Sequence, residues 1–497
     1  MDTNAIKQIP TYVRDVSRSL TEAGFENFLV GGCVRDLFLN RAPKDWDITT
    51  IATPEEIQKL FPDSFYENTF GTVGVKWRWE TEDVRGTSSA EVVEITPYRL
   101  ESGYTDGRHP DTVEWAKRIE DDLARRDFTM NAIAGKLTDT GLELTDPYGG
   151  REDIKRGLIK TVGKADERFQ EDALRMFRAI RFASELGFAV EGETLAAIER
   201  NATLMENISK ERIHDEFVKI IMSENPAIAL DLAARLGLLT YISPEFVKGI
   251  GVTQNQAHAY TVWEHLLRSL NHAAAKNFPL HVRLAALFHD IAKPHTKGLK
   301  GETVTFYGHE VVGARLTKRA LDDLKFPKEI IDKVWRLVRW HMFFSDTEEI
   351  SLSAVRRMVR NVGVDLIWDL MDMRAADRIG TGRPKETPYR LRKYHSMIEQ
   401  VMRDPISVKQ LVVKGEDIMH LTGTTGGPHI GFILEILLAE VLEKPELNTK
   451  EYLEEKVKAL YALSPQELKE KGIAARRSNE DEDEREVEKI KEDYKVK

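Results

Sequence analysis

At 497 residues the chain is too long for one hydrophobic core and calls for about two to four domains. Apolar residues make up 41% and charged residues 31%, a globular composition, and no apolar run reaches the ~18–20 residues that would span a bilayer. The net charge of −10 excludes little, because basic stretches such as VRRMVRNV (355–362) survive inside it; a lone Cys33 leaves no disulfide framework and, with no signal pattern at the N-terminus, the expected location is cytoplasmic.

Residues 25 to about 146 read as an α/β head, with FENFLV, TVGVKW and AEVVEITPY as strands rich in β-branched and aromatic residues. Between them TPEEIQKLF reads as a helix capped by Thr53 before Pro54. LVGGCVRDLFLNRAPKDWDITT (29–50) ends an apolar strand on Gly31-Gly32 and then opens a helix pattern. Glycines at that junction let backbone N–H groups approach an anion, and Arg35 in the first turn would add a charge-assisted phosphate contact. In DWDI, a strand reading puts Asp45 and Asp47 on one face and Trp46 on the other. Two such carboxylates repel unless cations sit between them, which suits a magnesium pair; an Asx-rich turn is the plain alternative. Glu94, on a later strand pattern, is a candidate third acid.

Further along, YRLESGYTDGRHPDTVEW (98–115) reads as a mobile polar loop. LARRDFTMNAIA (123–134) concentrates Arg126, Asp127 and Asn131 beside the expected site, where a salt-bridged helix entry is the alternative reading. The joint to a helical body is expected at Tyr148-Gly149-Gly150. In EDALRMFRAIRFASELGF (171–188), Asp172 and Arg175 are three apart on one helix pattern, so they share a face, with an ion pair as the ordinary explanation.

From about 166 to 465 the apolar spacing is mostly three and four, broken by the loops KGLKGETVTFYG (297–308) and TGTTGGPHIG (422–431). Within it His265, the adjacent His289 and Asp290 of LAALFHDIAKP, His309, His341 and Asp377 form a series of N/O ligands suited to a first-row divalent metal. Lys414 and the nearby glycine-rich loop are candidates for phosphate contact or for simple helix capping. The charged tail after 478 reads as solvated.

The order of paired glycines, DxD and a later carboxylate resembles the polymerase-beta-like nucleotidyltransferases. With LARRDFTMNAIA, DPYGGREDIKRGLIKTVG, EDALR and ERIHDEF following in order, residues 25–220 resemble the class II tRNA nucleotidyltransferases (CCA-adding enzymes) and their bacterial poly(A) polymerase relatives. The resemblance implies a nucleotidyltransferase head at 1–146, a neck and tRNA-binding helical region at 147–250, and a C-terminal helical tRNA-body region at 396–478 before a tail at 479–497. It implies template-independent addition of CMP and AMP to tRNA from CTP and ATP, with Asp45, Asp47 and Glu94 catalytic through Mg2+. Nucleotide contacts would come from Gly31, Gly32, Arg35, Arg126, Asp127, Asn131, Asp172, Arg175 and Arg178, the motif of Arg126, Asp127 and Asn131 recognising ribose and Asp172 with Arg175 reading the base. The loop at 98–115 resembles one kept by CCA-adding members and favours C and A, or A, addition. A-only, CC-adding and poly(A) products remain the alternatives, as does a phosphohydrolase whose head only recognises RNA.

Residues 251–395 resemble an HD metal-dependent phosphohydrolase domain. That resemblance implies His265, His289, Asp290 and Asp377 as primary ligands of a divalent transition metal or Mg2+. His309 and His341 would serve a second metal or the phosphate, with trimming of 2′,3′-cyclic or 3′-phosphate RNA ends as one conceivable task and an inert helical bundle as the other reading. Neither a membrane partner nor an oligomeric state is implied.

Overall fold

A computed structural model describes residues 8–66, 71–78, 90–102, 112–139, 141–254, 259–300, 303–342 and 350–477. The centre of the expected mobile loop (103–111) and the charged tail lie outside these. The chain divides into two compact units, Met1–Glu216 with Ile228–Tyr241, and Phe217–Ala227 with Ile242–Lys497.

The first unit is organised by the strand that precedes the paired glycines. β1 (Asn27–Val30) is buried at all four positions and pairs antiparallel with β2 (Asp47–Thr50). β3 (Ser64–Tyr66) and β4 (Val73–Arg78) form a hairpin edge beside β5 (Ala90–Pro97), which runs parallel to β2. A second short pair, β6 (Arg99–Ser102) and β7 (Thr112–Trp115), is antiparallel, so the ends of the expected loop at 98–115 are strand rather than loop. β8 (Ala134–Thr138) and β9 (Gly141–Thr145) complete a seven-stranded mixed sheet of order β3-β4-β5-β2-β1-β8-β9.

Phe28, Val30, Tyr98, Ile119, Leu123, Ala134 and Val162 form a core cluster on this sheet. Burial of each large apolar side chain contributes about 1.5–3 kcal/mol, which fixes the register of β1 and hence the position of the turn after it. The expected capping of helix Pro54–Leu60 is present as a reciprocal box: Thr53 Oγ1 accepts from Glu56 N, and Glu56 Oε2 accepts from Thr53 N at 2.8 Å. Helix Thr11–Glu22 was not among the expected elements; it buries Tyr12, Val13, Val16 and Leu20 along one face.

The expected joint at Tyr148–Gly150 lies inside the first unit, where Gly149 precedes helix Gly150–Arg156. Helices Ala165–Glu171, Leu174–Leu186 and Gly192–Asn201 also belong there, and the unit boundary falls later, between residues 216 and 242.

The second unit is helical among its described residues, apart from the short pair β12 (Gly298–Lys300) and β13 (Thr303–Thr305), with β10 (Leu158–Ile159) and β11 (Ala189–Val190) in the first unit. The loop read at 297–308 therefore carries this hairpin, whereas 423–427 does join helices Gly415–Thr422 and Pro428–Glu443. Lys414 Nζ donates to Lys409 O at 2.5 Å and Gly423 ends the first of those helices in a left-handed conformation, which is the capping alternative. No described helix is long and apolar enough to cross a membrane.

Candidate nucleotide and metal sites

In the first unit, Gly31 leaves β1 with φ 75° and ψ −136°, a conformation that only glycine adopts without strain. A Cβ there would sit 3.1 Å from Arg126 Nη1 and 3.4 Å from Asp47 Oδ2. The glycine turn, one acid of the DxD stretch and one cation therefore converge. Gly32 begins the short helix Gly32–Phe38.

Trp46 is buried, Asp47 half-buried and Asp45 exposed. The strand, however, starts at Asp47, and Asp45 lies in the preceding bend. Glu94 on β5 stands in register with Asp47, and its backbone N–H donates to Trp46 O at 3.2 Å. Neighbouring residues of parallel strands share a sheet face, so Asp47 and Glu94 form an acidic pair on two adjacent strands.

Behind the turn lies a ladder of ion pairs. Asp122 is fully buried and takes Arg125 Nη2 at 2.7 Å and Arg126 Nη2 at 3.1 Å. Burial opposes its charge, but the two guanidiniums outweigh it and hold the carboxyl below its usual range. Asp127 accepts from Phe128 N at 2.8 Å, Asn131 Nδ2 at 3.1 Å and Arg178 Nε at 2.8 Å. Burial again pushes upward, yet Arg178 and Asn131 bring Asp127 down to about 2.

Arg35, the expected phosphate contact, has several partners within the fold. Its side chain is turned inward, with Nη1 donating to Asn131 Oδ1 and Nε to Asp36 Oδ1, each at 2.9 Å, and the guanidinium 5.1 Å from the Phe182 ring centroid. A short first-turn arginine beside a buried amide satisfies itself locally, because an unpaired buried guanidinium would be costly. The polar groups of RRDFTMN are thus held by Asp122, Arg178 and Arg35 around one internal bond, Asn131 Nδ2 to Asp127 Oδ1.

Asp172 is also placed differently. It follows helix Ala165–Glu171 with φ −150° and ψ 103°, two residues before helix Leu174–Leu186, so it does not share a helical face with Arg175. Its Oδ1 caps Leu174 N at 3.0 Å. Arg212 grips both carboxylate oxygens, Nη1 to Oδ1 at 3.1 Å and Nη2 to Oδ2 at 2.7 Å. Arg175 instead donates to Glu171 Oε2 at 2.6 Å, to Arg168 O at 3.3 Å and to Arg125 O at 3.1 Å. Arg212 and Glu171 were absent from the candidate residues; each lies within a quoted motif, but nothing in local spacing links Arg212 to a partner 40 residues upstream.

In the second unit the six expected ligands come together. Helix Val262–Ala275 begins at a capping box, Thr261 with Glu264, one residue before His265. Helix Leu280–Phe288 stops just short of His289, so His289 and Asp290 occupy its C-terminal turn rather than the helix interior that their sequence suggested. Gly380 closes the arrangement: a Cβ there would lie 2.0 Å from Ser269 Oγ and 3.0 Å from His265 Nδ1, so helix Ile367–Gly380, which carries Asp377, approaches His265 only with glycine at its end.

All six side chains are buried, and two groups place one ligand atom each within 4.8 Å: His265, His289 and Asp290, and Asp290, His309 and His341. Asp290 belongs to both. Its Oδ2 lies 3.1 Å from His265 Nε2 and 3.3 Å from His289 Nε2, while Oδ1 lies 3.2 Å from His309 Nε2 and 3.7 Å from His341 Nε2. Asp377 Oδ1 is 3.3 Å from His265 Nε2.

Three imidazoles are oriented by the backbone. Nδ1 of His289, His309 and His341 meets the carbonyl oxygens of Ala286, Phe306 and Val338 at 3.0, 2.7 and 2.7 Å. A carbonyl only accepts, so Nδ1 carries a proton and Nε2 points inward, where its lone pair is open to a metal once the ring is neutral. Burial opposes protonation of His289, but Asp290 and Asp377 lift it to about 9; burial and the neighbouring imidazoles push His341 down to about 4. The converging carboxylates and lone pairs fit divalent cations.

Lys293, three residues after Asp290, was not among the candidates. It is 5% exposed, with Nζ 2.6 Å from Asp290 Oδ2 and 2.6 Å from Gln254 Oε1. The i,i+3 spacing from Asp290 was the signal that could have found it. Arg374 likewise pairs with Asp377.

Residues 27–160 match the family described as Poly A polymerase head domain, residues 187–249 the Probable RNA and SrmB-binding site of polymerase A, and residues 257–380 the HD domain. A CCA-adding enzyme of Geobacillus kaustophilus is 34% identical over 439 residues, covering 88% of this chain and 93% of that one. A CC-adding tRNA nucleotidyltransferase of Thermus thermophilus is 33% identical over 438 residues, covering 85% and 91%. The crystal structure of the Bacillus stearothermophilus CCA-adding enzyme in complex with CTP shares 28% identity at a TM-score of 0.66, covering 90% of this chain and 95% of that one.

Proposed function

The chain belongs to the tRNA nucleotidyltransferase family that holds CCA-adding and CC-adding enzymes, and from that premise we propose that it adds CMP and AMP to the 3′ end of tRNA, using CTP and ATP. The observation that carries the reading is the convergence of Gly31, Arg126 and Asp47 at one point, with Glu94 in register beside Asp47. Asp45 and Asp47 would hold Mg2+, with Glu94 as the third acid. The chemistry a magnesium pair supplies when bound is activation of the terminal hydroxyl and neutralisation of the departing pyrophosphate.

The chain's own groups then divide the remaining work. The Gly31-Gly32 backbone admits the triphosphate closely, and Arg126 stands beside it. Arg35, Asn131, Asp127 and Arg178 act as the brace that fixes the ribose end of the site. Asp172 accepts from the exocyclic amine of cytosine or adenine, while Arg175 donates to a ring acceptor. Uracil and guanine present a carbonyl to Asp172 instead, and the unmade bond costs about 1–3 kcal/mol, more with a charge involved.

The Thermus CC-adding relative is nearly as similar as the CCA-adding one, which keeps CC addition as the second reading. Labelled CTP and ATP, separately and together, are to be offered to tRNA lacking CCA, lacking A, or complete. Full restoration of CCA is the expected product; growth that stops at CC selects the second reading. Asp47→Ala is expected to abolish incorporation while tRNA still binds, and retained incorporation would refute the metal assignment.

The second unit is proposed to be a phosphohydrolase site for two divalent ions. His265, His289 and Asp377 would hold one, His309 and His341 the other, and Asp290 belongs to both candidate groups. The chemistry such ions supply when bound is activation of water toward a phosphoester. Release of phosphate under Mg2+, Mn2+, Ni2+ or Co2+, lost in Asp290→Ala, tests it; no release with any of the four would favour the inert bundle.

A further inference from the structure

The acidic pair of the first unit belongs to a row that runs on past it. Strand register sets Asp47 beside Glu94, Glu94 beside Gly74, and Gly74 beside Phe65, so β2, β5, β4 and β3 carry these residues across one sheet face. The opposite face is closed: Ile48, Val73, Val75, Val93 and Ile95 are all buried. The acidic face is open on this flank. Val92 and Lys76, opposed to each other two residues from Glu94 and Gly74, are exposed, and Phe65 is 37% exposed.

Phe65 reaches back toward the acids. A Cβ on Gly74 would lie 2.4 Å from Phe65 Cζ, so the ring lies over Gly74, and a side chain at 74 would push it aside. The ring therefore stands about one strand spacing, about 5 Å, from the backbone of Glu94. Lys76 Nζ is 5.1 Å from the ring centroid. Covering a glycine is one use for an aromatic residue in a strand, but that use does not need a ring left in water beside a cation. A ring and a cation together are what a single-stranded nucleic acid meets, base on the one and phosphate on the other.

The two sides of Asp47 differ. On the β1 side lie Gly31 and Arg126, where the triphosphate is proposed to sit. In an in-line displacement the attacking oxygen and the leaving pyrophosphate stand on opposite sides of the phosphorus. The acceptor RNA then arrives over β5, β4 and β3. Its 3′ oxygen bonds to the α-phosphorus, the bond to pyrophosphate breaks, and the hydroxyl proton passes to water. With that hydroxyl at Glu94, the base of the same nucleotide reaches about as far as the Phe65 ring. We propose that Phe65 is an acceptor-binding residue, its ring stacking on the 3′-terminal base of the RNA while Lys76 meets the adjoining phosphate. The inference rests on the transferase reading of this site and names the group that holds the acceptor end.

The test uses the full chain, tRNA lacking CCA, and CTP. Leucine at 65 covers Gly74 without offering a ring, and tyrosine does both. Phe65→Leu is expected to raise the KM for this tRNA about tenfold, with the KM for CTP held within about twofold, and Phe65→Tyr should restore the wild-type value. A tRNA ending in an abasic nucleotide should serve wild type and Phe65→Leu equally poorly, since no base remains to stack. Binding is read apart from transfer by placing 2-aminopurine at the 3′ end. Its fluorescence should fall on binding wild type or Phe65→Tyr and not on binding Phe65→Leu. An unchanged KM for tRNA in Phe65→Leu, or an abasic acceptor that still responds to the substitution, would overturn the proposal. Quenching by a wild-type protein that transfers nothing to any acceptor would refute the transferase reading and leave the stacking role standing.

Discussion

Replacing Arg212 by alanine tests whether base selection depends on how Asp172 is held. The guanidinium makes two charge-assisted bonds to the carboxylate, at 3.1 and 2.7 Å, with side chains only 20% and 17% exposed. A buried bond of this kind is worth about 1.5–3 kcal/mol; partial exposure reduces the pair to about 2 kcal/mol in all. After the substitution only the bond from Leu174 N still orients Asp172. If about 1.4 kcal/mol of that reaches the transition state, kcat/KM for CTP relative to UTP falls about tenfold. The assay is single-nucleotide addition to tRNA lacking CCA, with each of the four triphosphates, alongside a thermal melt to show that the variant is folded. Arg212→Lys, which keeps the charge but not the bidentate grip, should recover part of the ratio. A uniform drop for all four nucleotides, or none, would refute the idea that Arg212 acts through the base-reading carboxylate.

Gly31→Ala forces a side chain into φ 75°, about 1–3 kcal/mol of strain, and presses on Arg126 and Asp47; incorporation should fall well beyond what the loss of melting temperature explains. His309→Ala should lower bound metal from two ions to one by elemental analysis, whereas Asp290→Ala should remove both, since only Asp290 belongs to both ligand groups. Asp127 is depressed to about 2 in the fold, so its contribution of about 2 kcal/mol is present above the unfolded carboxyl's ~4 and is lost as pH falls through about 2. Urea unfolding of wild type and Asp127→Asn between pH 6 and pH 2 should therefore converge at the acid end, and a constant difference would contradict the assignment.

The parts of the fold written in local pattern were legible. The glycine turn, the strand after Trp46 and Glu94, and the helix capped by Thr53 each follow from a few neighbouring residues. The convergence of the six candidate ligands in the second unit was also legible, because His and Asp seldom recur at such intervals in an apolar helical run without a shared task. Errors came where periodicity was an insufficient guide. Spacing of three placed Asp172 on the helix of Arg175, but Asp172 is an extended residue between helices Ala165–Glu171 and Leu174–Leu186. The bond from Arg35 to Asn131 was equally hidden, because the two residues lie 96 apart in the chain. Helix Thr11–Glu22 carried a legible apolar stripe at Tyr12, Val13, Val16 and Leu20 that the search for strands passed over.

The two candidate metal sites would meet cations in opposite ways, and the difference follows from the residues that would hold them. In the second unit four imidazoles and two carboxylates are buried, and three of the rings are locked by backbone carbonyls, so the ligand set is assembled in the fold itself. Nitrogen ligands fixed this closely favour a resident first-row ion. In the first unit Asp45 is exposed outside the strand, and Asp47 stands half-buried beside Glu94. A few carboxylates at an open cleft suit Mg2+ arriving with a nucleotide, whose phosphates complete its octahedron. Chelation followed by gel filtration should therefore abolish the hydrolysis proposed for the second unit until metal is restored. Transfer should need only the Mg2+ supplied with CTP, and a transferase that retained tightly bound magnesium through gel filtration would contradict the distinction.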